Sequence, residues 1–263
     1  MQIGTASSIP RPATLHELFE SFRTVLAAKP VLVWYNADGE RIELSGRVFH
    51  NWVSKSANLI TQHTENPDAP HLTLDAPVHW KSLALAFAAW TANFSLNIEA
   101  EVESASAHLE PDILATSRSL DDGWRDLQGH RESDYAAVIR LDTTNLGTAF
   151  GGDLHVMDID FAQEIRLEAD DFTPHRRSSL SLDELIESLE RAAPQAGKAT
   201  GGEHAVVLLD GIDAERNPRH LSAALSRALS VWARGGTLVL VQAGTEDVER
   251  VARAELADTR ITL

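Results

Sequence analysis

Residues 205–241, AVVLLDGIDAERNPRHLSAALSRALSVWARGGTLVLV, decide the fold, because a strand pattern, a helix pattern and a second strand pattern follow one another there. Ala205 to Leu209 is a continuous apolar run of the kind that buried parallel strands show. Pro218 is placed to open a helix, and after Gly235-Gly236 the next apolar run is Leu238 to Val241. Two strands joined by a helix form the unit from which parallel sheets are built.

The same order of elements occurs earlier, in residues 71–98, HLTLDAPVHWKSLALAFAAWTANFSLNI. A short strand at Leu72 to Leu74 precedes Asp75-Ala76-Pro77, which we interpret as a helix cap with a proline near the first turn. Each unit also has a helix before it, capped by Ser45 in the first case and by Ser181 in the second. The repetition predicts an α/β protein with two similar, helix-covered, mainly parallel sheets related by internal duplication.

The segments around these units complete the predicted organisation. Val31 to Tyr35 and Arg41 to Leu44 flank Asp38-Gly39, and this pattern predicts a β-hairpin because Asp-Gly supplies the positive φ values of a tight turn. A chain of 263 residues is long for one compact domain and suits two lobes. We expect a first lobe over residues 1–175, with a flexible N-terminal leader, and a second lobe over 176–263 packed on the first.

Composition restricts the classes of function. The chain has 23 Lys and Arg against 39 Asp and Glu, which gives a formal net charge of -16. Nucleic acid requires a basic face, so we expect no nucleic-acid partner, and anionic membranes are disfavoured for the same reason. The chain has no cysteine, which excludes disulfides, thiolate nucleophiles and cysteine-based zinc sites. No secretory signal pattern occurs at the N-terminus, so the expected location is the cytoplasm.

Two glycine-rich stretches have the composition of phosphate-binding loops. They are residues 147–152, GTAFGG, and residues 197–202, GKATGG. A P-loop requires a lysine and a hydroxyl residue after its last glycine, at the start of a helix, and neither stretch has that order. The second stretch also leaves a helix and enters a strand, so no helix N-terminus focuses its amides on a phosphate. We therefore expect both to be connecting loops.

Two groups of histidine and carboxylate side chains could suggest metal ligands. They are His155 with Asp158 and Asp160, which follow a predicted strand from Leu154 to Met157, and Asp170-Asp171 with His175. In an acidic chain such groups also occur by chance, so the pattern favours side chains on solvent-exposed faces over metal ligands. We expect no metal and no cofactor. His79, at the start of an apolar helix with no carboxylate nearby in sequence, favours a surface or capping role over that of a base.

The chain as a whole resembles the N-terminal domain of the adenylate-forming superfamily, the acyl-coenzyme A synthetases, luciferases and peptide-synthetase adenylation domains. The resemblance is carried by Val31 to Leu59, by the strand, proline turn and Trp/Ala-rich helix of His71 to Ile98, and by Val206 to Val241 with its Gly-Gly-Thr boundary. It implies a short relative of that superfamily, with only the N-terminal domain and with two related α/β sheets.

Departures from the family pattern shape the functional expectation. The family's glycine-rich phosphate loop would lie just before Ser181, where residues 174–180, PHRRSSL, contain no glycine, so the nest of backbone amides is lost. The Tyr-Gly-x-Thr-Glu segment is absent, and the chain ends at Leu263, before the family's C-terminal domain would begin. We expect a non-catalytic protein that binds a small ligand or a partner. Two alternatives stay open, a half-enzyme completed by another chain and a small independent α/β enzyme.

The expected ligand site lies at the carboxyl edge of the second sheet. Asp210 and Gly211 occupy the turn there, and Arg176 and Arg177 would approach from the segment that replaces the phosphate loop. These groups favour a small anion such as a carboxylate or a phosphate. The alternative is that Asp210 caps the turn and the arginines form surface ion pairs. A domain that packs on further segments in longer relatives would expose an apolar face, so we also expect a homodimer.

Overall fold

The computed structural model describes residues 11–98, 111–120, 123–126, 129–144, 146–194, 202–245 and 247–263. The helices are α1 (Leu15–Arg23), α2 (Gly46–His63), α3 (Trp80–Thr91), α4 (Phe161–Glu164), α5 (Leu182–Ala192), α6 (Pro218–Trp232) and α7 (Val248–Ala254). The strands are β1 (Pro30–Tyr35), β2 (Arg41–Ser45), β3 (His71–Asp75), β4 (Ser95–Ile98), β5 (Ile113–Thr116), β6 (Ala137–Arg140), β7 (Ile159–Asp160), β8 (Val206–Ile212), β9 (Thr237–Gln242) and β10 (Thr259–Thr262).

The strands form two five-stranded sheets. Sheet I has the order β10-β8-β9-β1-β2, and only the β1–β2 hairpin in it is antiparallel. Sheet II has the order β4-β3-β5-β6-β7 and is parallel throughout. The unit β3-α3-β4 lies in sheet II and the unit β8-α6-β9 lies in sheet I, so each sheet contains one copy of the repeated pattern. The predicted fold class is confirmed.

Two buried helices join the sheets. Every residue of α3 is buried, and α6 is buried from Leu221 to its end. Apart from Lys81 and Arg227, these residues are mostly apolar or small, as expected for helices that are buried on all sides. Helix α3 packs on β3 and β4 and reaches β1, whereas α6 packs on β8 and β9 and reaches β4. Because each helix contacts both sheets, one continuous apolar core includes residues from sheet I and sheet II.

Sheet I combines distant parts of the chain. Strand β1 pairs with β9 in parallel, with Leu32 opposite Leu238 and Tyr35 opposite Val241. Residues from both sides of position 175 therefore share one sheet, and the division into lobes at 1–175 and 176–263 stays a prediction. Within the described ranges, none of the helices has the length and apolarity that a membrane crossing demands.

The structure corrects the predicted boundary of one strand. Strand β8 does not end at Asp210-Gly211 but continues to Ile212, because a shift of register between Leu209 and Ile212 absorbs the turn residues. Gly211 has a φ of +74° at this irregularity, a conformation that glycine adopts without strain. The added strand β10 pairs with this part of β8.

Two further local predictions are wrong. Residues 154–157 form no strand and instead lie exposed in a turn, because no neighbouring strand pairs with their apolar pattern. Helix α3 is capped by His79 rather than by Asp75, since the His79 side chain accepts a hydrogen bond from the N–H of Lys81. Asp75 is the last residue of β3, and its carboxylate has other partners.

Candidate ligand-binding site

Asp210 and Gly211 lie under the C-terminal strand. Asp210 is 2% exposed, and its carboxylate accepts a hydrogen bond from the guanidinium of Arg260, which also contacts Glu249. The N–H of Leu263 donates to the carbonyl of Asp210 at 3.0 Å. A Cβ at Gly211 would lie 3.1 Å from the carbonyl oxygen of Leu263. The structure thus gives both residues partners on β10 and at the C-terminus.

Arg176 and Arg177 lie elsewhere on the surface. Both are exposed, and the Asn93 side chain, in the connection between α3 and β4, donates to the Arg176 carbonyl at 2.8 Å. Among the described residues no hydrogen bond or ion pair links either arginine to Asp210. The structure does not bring the four predicted site residues into contact, and an anion site formed by them stays a prediction.

The sequence candidates for metal binding have structural partners. Asp158 accepts from Arg140 at 2.8 Å, and Asp160 caps α4 by accepting from the N–H of Ala162 at 2.9 Å. Asp170 pairs with Lys55 at 3.1 Å. In the part of the chain that the structure describes, no group of three His, Cys, Asp or Glu side chains could hold a metal ion.

Of the two glycine-rich stretches, only the first lies within the described residues throughout, because residues 197–201 of the second lie outside them. A Cβ at Gly147 would overlap Oδ2 of Asp142 and lie 2.5 Å from Oγ1 of Thr144. Glycine is therefore required at this position by the close approach of Asp142, which is a packing role.

A cavity of about 310 Å3 lies between α2, the start of α3 and two loops, which places it at the lower end of the range for small-molecule sites. Helix α2 and the start of α3 supply part of the lining, and residues 146–147 and 165–170 supply the rest. Its walls are mostly apolar with a few polar groups. The lining residues are Val48, Asn51, Trp52, Lys55, Trp80, Lys81, Leu146, Gly147, Ile165, Arg166 and Asp170.

Two tryptophans form the apolar floor of the cavity. The rings of Trp52 and Trp80 meet edge to face with centroids 4.8 Å apart, and Trp52 also lies near Phe161. Trp80 is buried, whereas Trp52 is half-buried and presents more surface to the cavity. Leu146 at the rim is 76% exposed, so the rim offers apolar surface to a bound molecule.

Three cationic side chains line the cavity, and two of them have acidic partners. Lys55 pairs with Asp170 at 3.1 Å and donates to the carbonyl of Glu168. Lys81 pairs with Asp142 at 3.1 Å. Arg166 is exposed, and its guanidinium has no hydrogen bond or ion pair within the described ranges. Arg166 is therefore the one cationic residue of the lining that has no acidic partner among the described residues.

Lys81 is the most buried of these cations, with 3% of its surface exposed. Its ammonium donates to the carbonyl of Asp142 at 2.9 Å, to Oδ2 of the same residue at 3.1 Å, and to the carbonyl of Thr144 at 3.0 Å. Burial lowers the pKa of Lys81, Asp142 opposes this effect, and the nearby charge of Arg166 lowers the pKa further. An anion beside Arg166 would relieve the repulsion between the two cations.

A second polar cluster lies where the carboxyl ends of β3 and β5 meet the loop after β8. The fully buried carboxylate of Asp75 accepts from Arg118 at 2.8 Å and from Thr116 at 3.2 Å. Arg216, in the connection between β8 and α6, contacts the other carboxylate oxygen at 2.6 Å. This cluster ties the crossover of sheet I to the end of a strand of sheet II, so its role is to hold the two sheets together.

Sequence reasoning missed the cavity because its walls come from four separate segments. One signal was available, since Lys81 is the single charged residue in the otherwise uncharged stretch from Val78 to Ile98. A lysine that is buried together with its helix needs hydrogen-bond acceptors for its ammonium group. The sequence does not show which residues supply them.

Comparison with known proteins supports the fold. No family model matches the chain. A TIGR03089 family protein of Mycobacterium tuberculosis is 26% identical over 182 residues, which is 67% of the chain and 71% of that protein. The acyl-CoA synthetase of Brucella canis matches 95% of the chain at 12% identity, with a TM-score of 0.64. The acetoacetyl-CoA synthetase of Streptomyces lividans matches 94% of the chain at 11% identity, with a TM-score of 0.60.

The chain has the N-terminal domain fold of adenylate-forming enzymes. The resemblance inferred from the sequence is thus confirmed at the level of the fold. The matched region is 47% of the Brucella protein and 42% of the Streptomyces protein, so the chain spans about half the length of these solved structures. Identities this low establish the architecture of the adenylate-forming N-terminal domain, and function has to be argued from the site.

Proposed function

We propose that the chain is a binding protein for a small organic anion, built on the N-terminal domain fold of adenylate-forming enzymes. The observation that carries this proposal is the cavity beside α2, which is lined by two tryptophans and by an arginine that has no acidic partner among the described residues. The ligand would place its apolar part against Trp52 and its negative charge at Arg166.

Electrostatics supports an anion over a neutral or cationic ligand. The chain has a net charge of -16, yet the described lining of this cavity has three cationic side chains against a single acid, Asp170. Lys81 is compensated by Asp142 and Lys55 by Asp170, which leaves the charge of Arg166 for the ligand. A guanidinium binds a carboxylate or phosphate with two parallel hydrogen bonds, so a single anionic group satisfies it.

We also propose that the chain does not itself form an acyl-adenylate. Residues 174–180 contain no glycine and run as an irregular segment whose Leu180 carbonyl accepts from the N–H of Leu15 at 3.0 Å. A segment of this kind lacks the backbone amide nest that phosphates require. Transfer at a phosphorus atom depends on charge positioned around the phosphates, and we find no such arrangement in this segment.

The binding proposal is tested by thermal denaturation with a panel of small carboxylates, phosphate and matched neutral amides. We expect at least one anion to raise Tm by roughly 5 °C at about a hundredfold excess over Kd, because it binds only the folded state. Arg166→Gln should weaken binding by about tenfold or more, since a charge-assisted hydrogen bond is lost.

Variants of the surface arginines provide the matched control. Arg176→Gln with Arg177→Gln removes two exposed cations away from the cavity and should leave the ligand response unchanged. Loss of the response in that double variant, with Arg166→Gln unaffected, would place the ligand beside Arg176 and Arg177 instead. A panel in which amides stabilise the protein as well as carboxylates would overturn the anion proposal.

Adenylation is tested separately by carboxylate-dependent exchange of pyrophosphate into ATP. We expect no exchange above the background measured without carboxylate. Exchange by the isolated chain would contradict the non-catalytic proposal and support an independent enzyme. Exchange that appears only after a second protein is added would support the half-enzyme.

A further inference from the structure

We infer that Lys81 is the positioning residue of the cavity, and that its ammonium holds Leu146 and Gly147 in place as the outer wall. The consequence for ligand binding rests on the proposed function. The wall itself can be observed in the protein without ligand, so the two ideas can fail independently.

The contacts run from Lys81 to the wall through Asp142. The Asp142 carboxylate accepts from the Lys81 ammonium, and its two oxygens also accept from the Thr144 hydroxyl at 2.9 and 2.7 Å. Asp142 then approaches Gly147 so closely that a Cβ on Gly147 would overlap its Oδ2. Lys81 and Asp142 therefore both hold the backbone of Thr144, and the Asp142 carboxylate lies directly against Gly147.

The charge state of Lys81 decides whether this arrangement is satisfied. An ammonium has three N–H donors and no lone pair, and the structure supplies three acceptors on Asp142 and Thr144. A neutral amine has two donors and a lone pair that would face one of these oxygens. Loss of one proton would therefore leave a buried oxygen unsatisfied and release the wall.

The charges around Lys81 set the direction of its titration. Asp142 and, more weakly, Asp160 favour the ammonium, whereas burial and the charge of Arg166 disfavour it. Lys55 lies across the cavity on α2 and is paired with Asp170. On α3 itself His79 is buried, and burial together with the Lys81 charge lowers the pKa of His79 well below 6.5. It therefore adds no positive charge.

These effects lower the pKa of Lys81 from its ordinary 10.5, so the wall should loosen at a pH below that value. An anion bound at Arg166 would offset the repulsion on Lys81 and raise its pKa again. Binding and protonation are then linked, and affinity should fall, by at most about tenfold per pH unit, as the pH rises from the pKa of Lys81 in the free protein to its higher pKa in the complex.

The test is hydrogen exchange of the ligand-free protein, followed in peptides that contain residues 142–144 and 146–147. We expect Lys81→Met to reduce protection there by at least about tenfold relative to strands β8 and β9, as for a locally opened segment. Lys81→Arg should restore protection and make it insensitive to pH between 8 and about 10, because arginine stays charged in proteins. Lys55→Met is the matched control and should leave these peptides protected.

Gly147→Ala provides a second variant that keeps Lys81, in case Lys81→Met does not fold. Its Cβ would displace Asp142 and should reduce protection in the same peptides. Unchanged protection in Lys81→Met or Gly147→Ala, or in wild type as the pH rises, would overturn the positioning role. If the wall loosens as expected but no anion binds any variant, the proposed function fails and the role of Lys81 stands.

Discussion

At the scale of the residue, His79 shows how burial changes the meaning of a side chain. The sequence predicted a surface or a capping role for this residue. His79 does cap α3, but it is buried, with 1% of its surface exposed. Its Nδ1 accepts from the N–H of Lys81 at 3.3 Å, and its ring meets that of Trp34 at 4.9 Å. Burial, with a contribution from the Lys81 charge, lowers the pKa of His79 well below 6.5.

This lowered pKa predicts a dependence of stability on pH. Below pH 6.5 the unfolded chain binds a proton at His79 and the native chain does not, so the free energy of unfolding decreases as the pH falls. One proton corresponds to a slope of about 1.4 kcal/mol per pH unit. His79→Asn, which retains a good capping residue, should remove this contribution when urea unfolding is compared at pH 7.5 and pH 5.

The control for that measurement is His155→Asn, which changes an exposed histidine and should keep the wild-type dependence on pH. An unaltered pH dependence in His79→Asn would show that His79 is not buried in its neutral form.

At the scale of the element, the contact of α1 with α2 depends on one glycine. The N–H of Gly46 donates to the carbonyl of Lys29 at 2.9 Å, at the point where β2 turns into α2. A Cβ on Gly46 would overlap the carbonyl oxygen of Leu26 and lie 2.7 Å from that of Phe22. Because both atoms belong to the backbone, neither can move without shifting the end of α1.

Gly46→Ala should therefore destabilise the protein, even though alanine is the better helix former. Overpacking against fixed backbone costs about 1–3 kcal/mol in the free energy of unfolding, measured by urea denaturation. Gly151→Ala is the matched control, since no atom lies within 4 Å of its Cβ position, and its effect should be within about 0.5 kcal/mol of zero. Equal stability of the two variants would contradict the close approach of α1 and α2.

At the scale of the whole molecule, several exposed apolar side chains lie close to one another in the sequence. Among the described residues, exposed large hydrophobic side chains are concentrated between positions 120 and 167, with Val156 at 89% and Met157 at 77%. A contiguous apolar patch would mark an interface, and the homodimer expected from the sequence stays a prediction. The net charge of -16 opposes association of two copies, and salt screens that repulsion.

We therefore predict a homodimer at micromolar concentration whose dissociation constant decreases as salt rises from 50 to 500 mM. Val156→Lys combined with Met157→Lys should give a monomer, measured by light scattering, with unchanged thermal stability of the fold. Leu180→Lys combined with Leu256→Lys is the control, because both leucines are exposed but lie outside positions 120–167. This variant should leave the dimer intact. A wild-type monomer at every salt concentration would contradict the prediction.

The sequence by itself determined the class of the fold and most of the elements in the two repeated units. Apolar runs such as Ala205 to Leu209, helix caps such as Ser45 and Ser181, and the Asp38-Gly39 hairpin are local signals, and the structure has a strand, a helix or a turn at each. Local signals suffice here because caps and turns depend on neighbouring residues, and the spacing of apolar residues shows which face of a helix or strand is buried. The repeated order of elements then implied two parallel sheets.

Only the tertiary structure decided the site. Lys81 meets Asp142 across 61 positions, and Asp75 is held by Arg118 and Arg216 from two other segments. The sequence also could not place β1 between β9 and β2, which sets which segments face one another. These contacts depend on how elements pack, and packing is selected by the total burial of apolar surface rather than by any local pattern. The cavity with Trp52 and Arg166 exists only because that packing leaves a space between four separate segments.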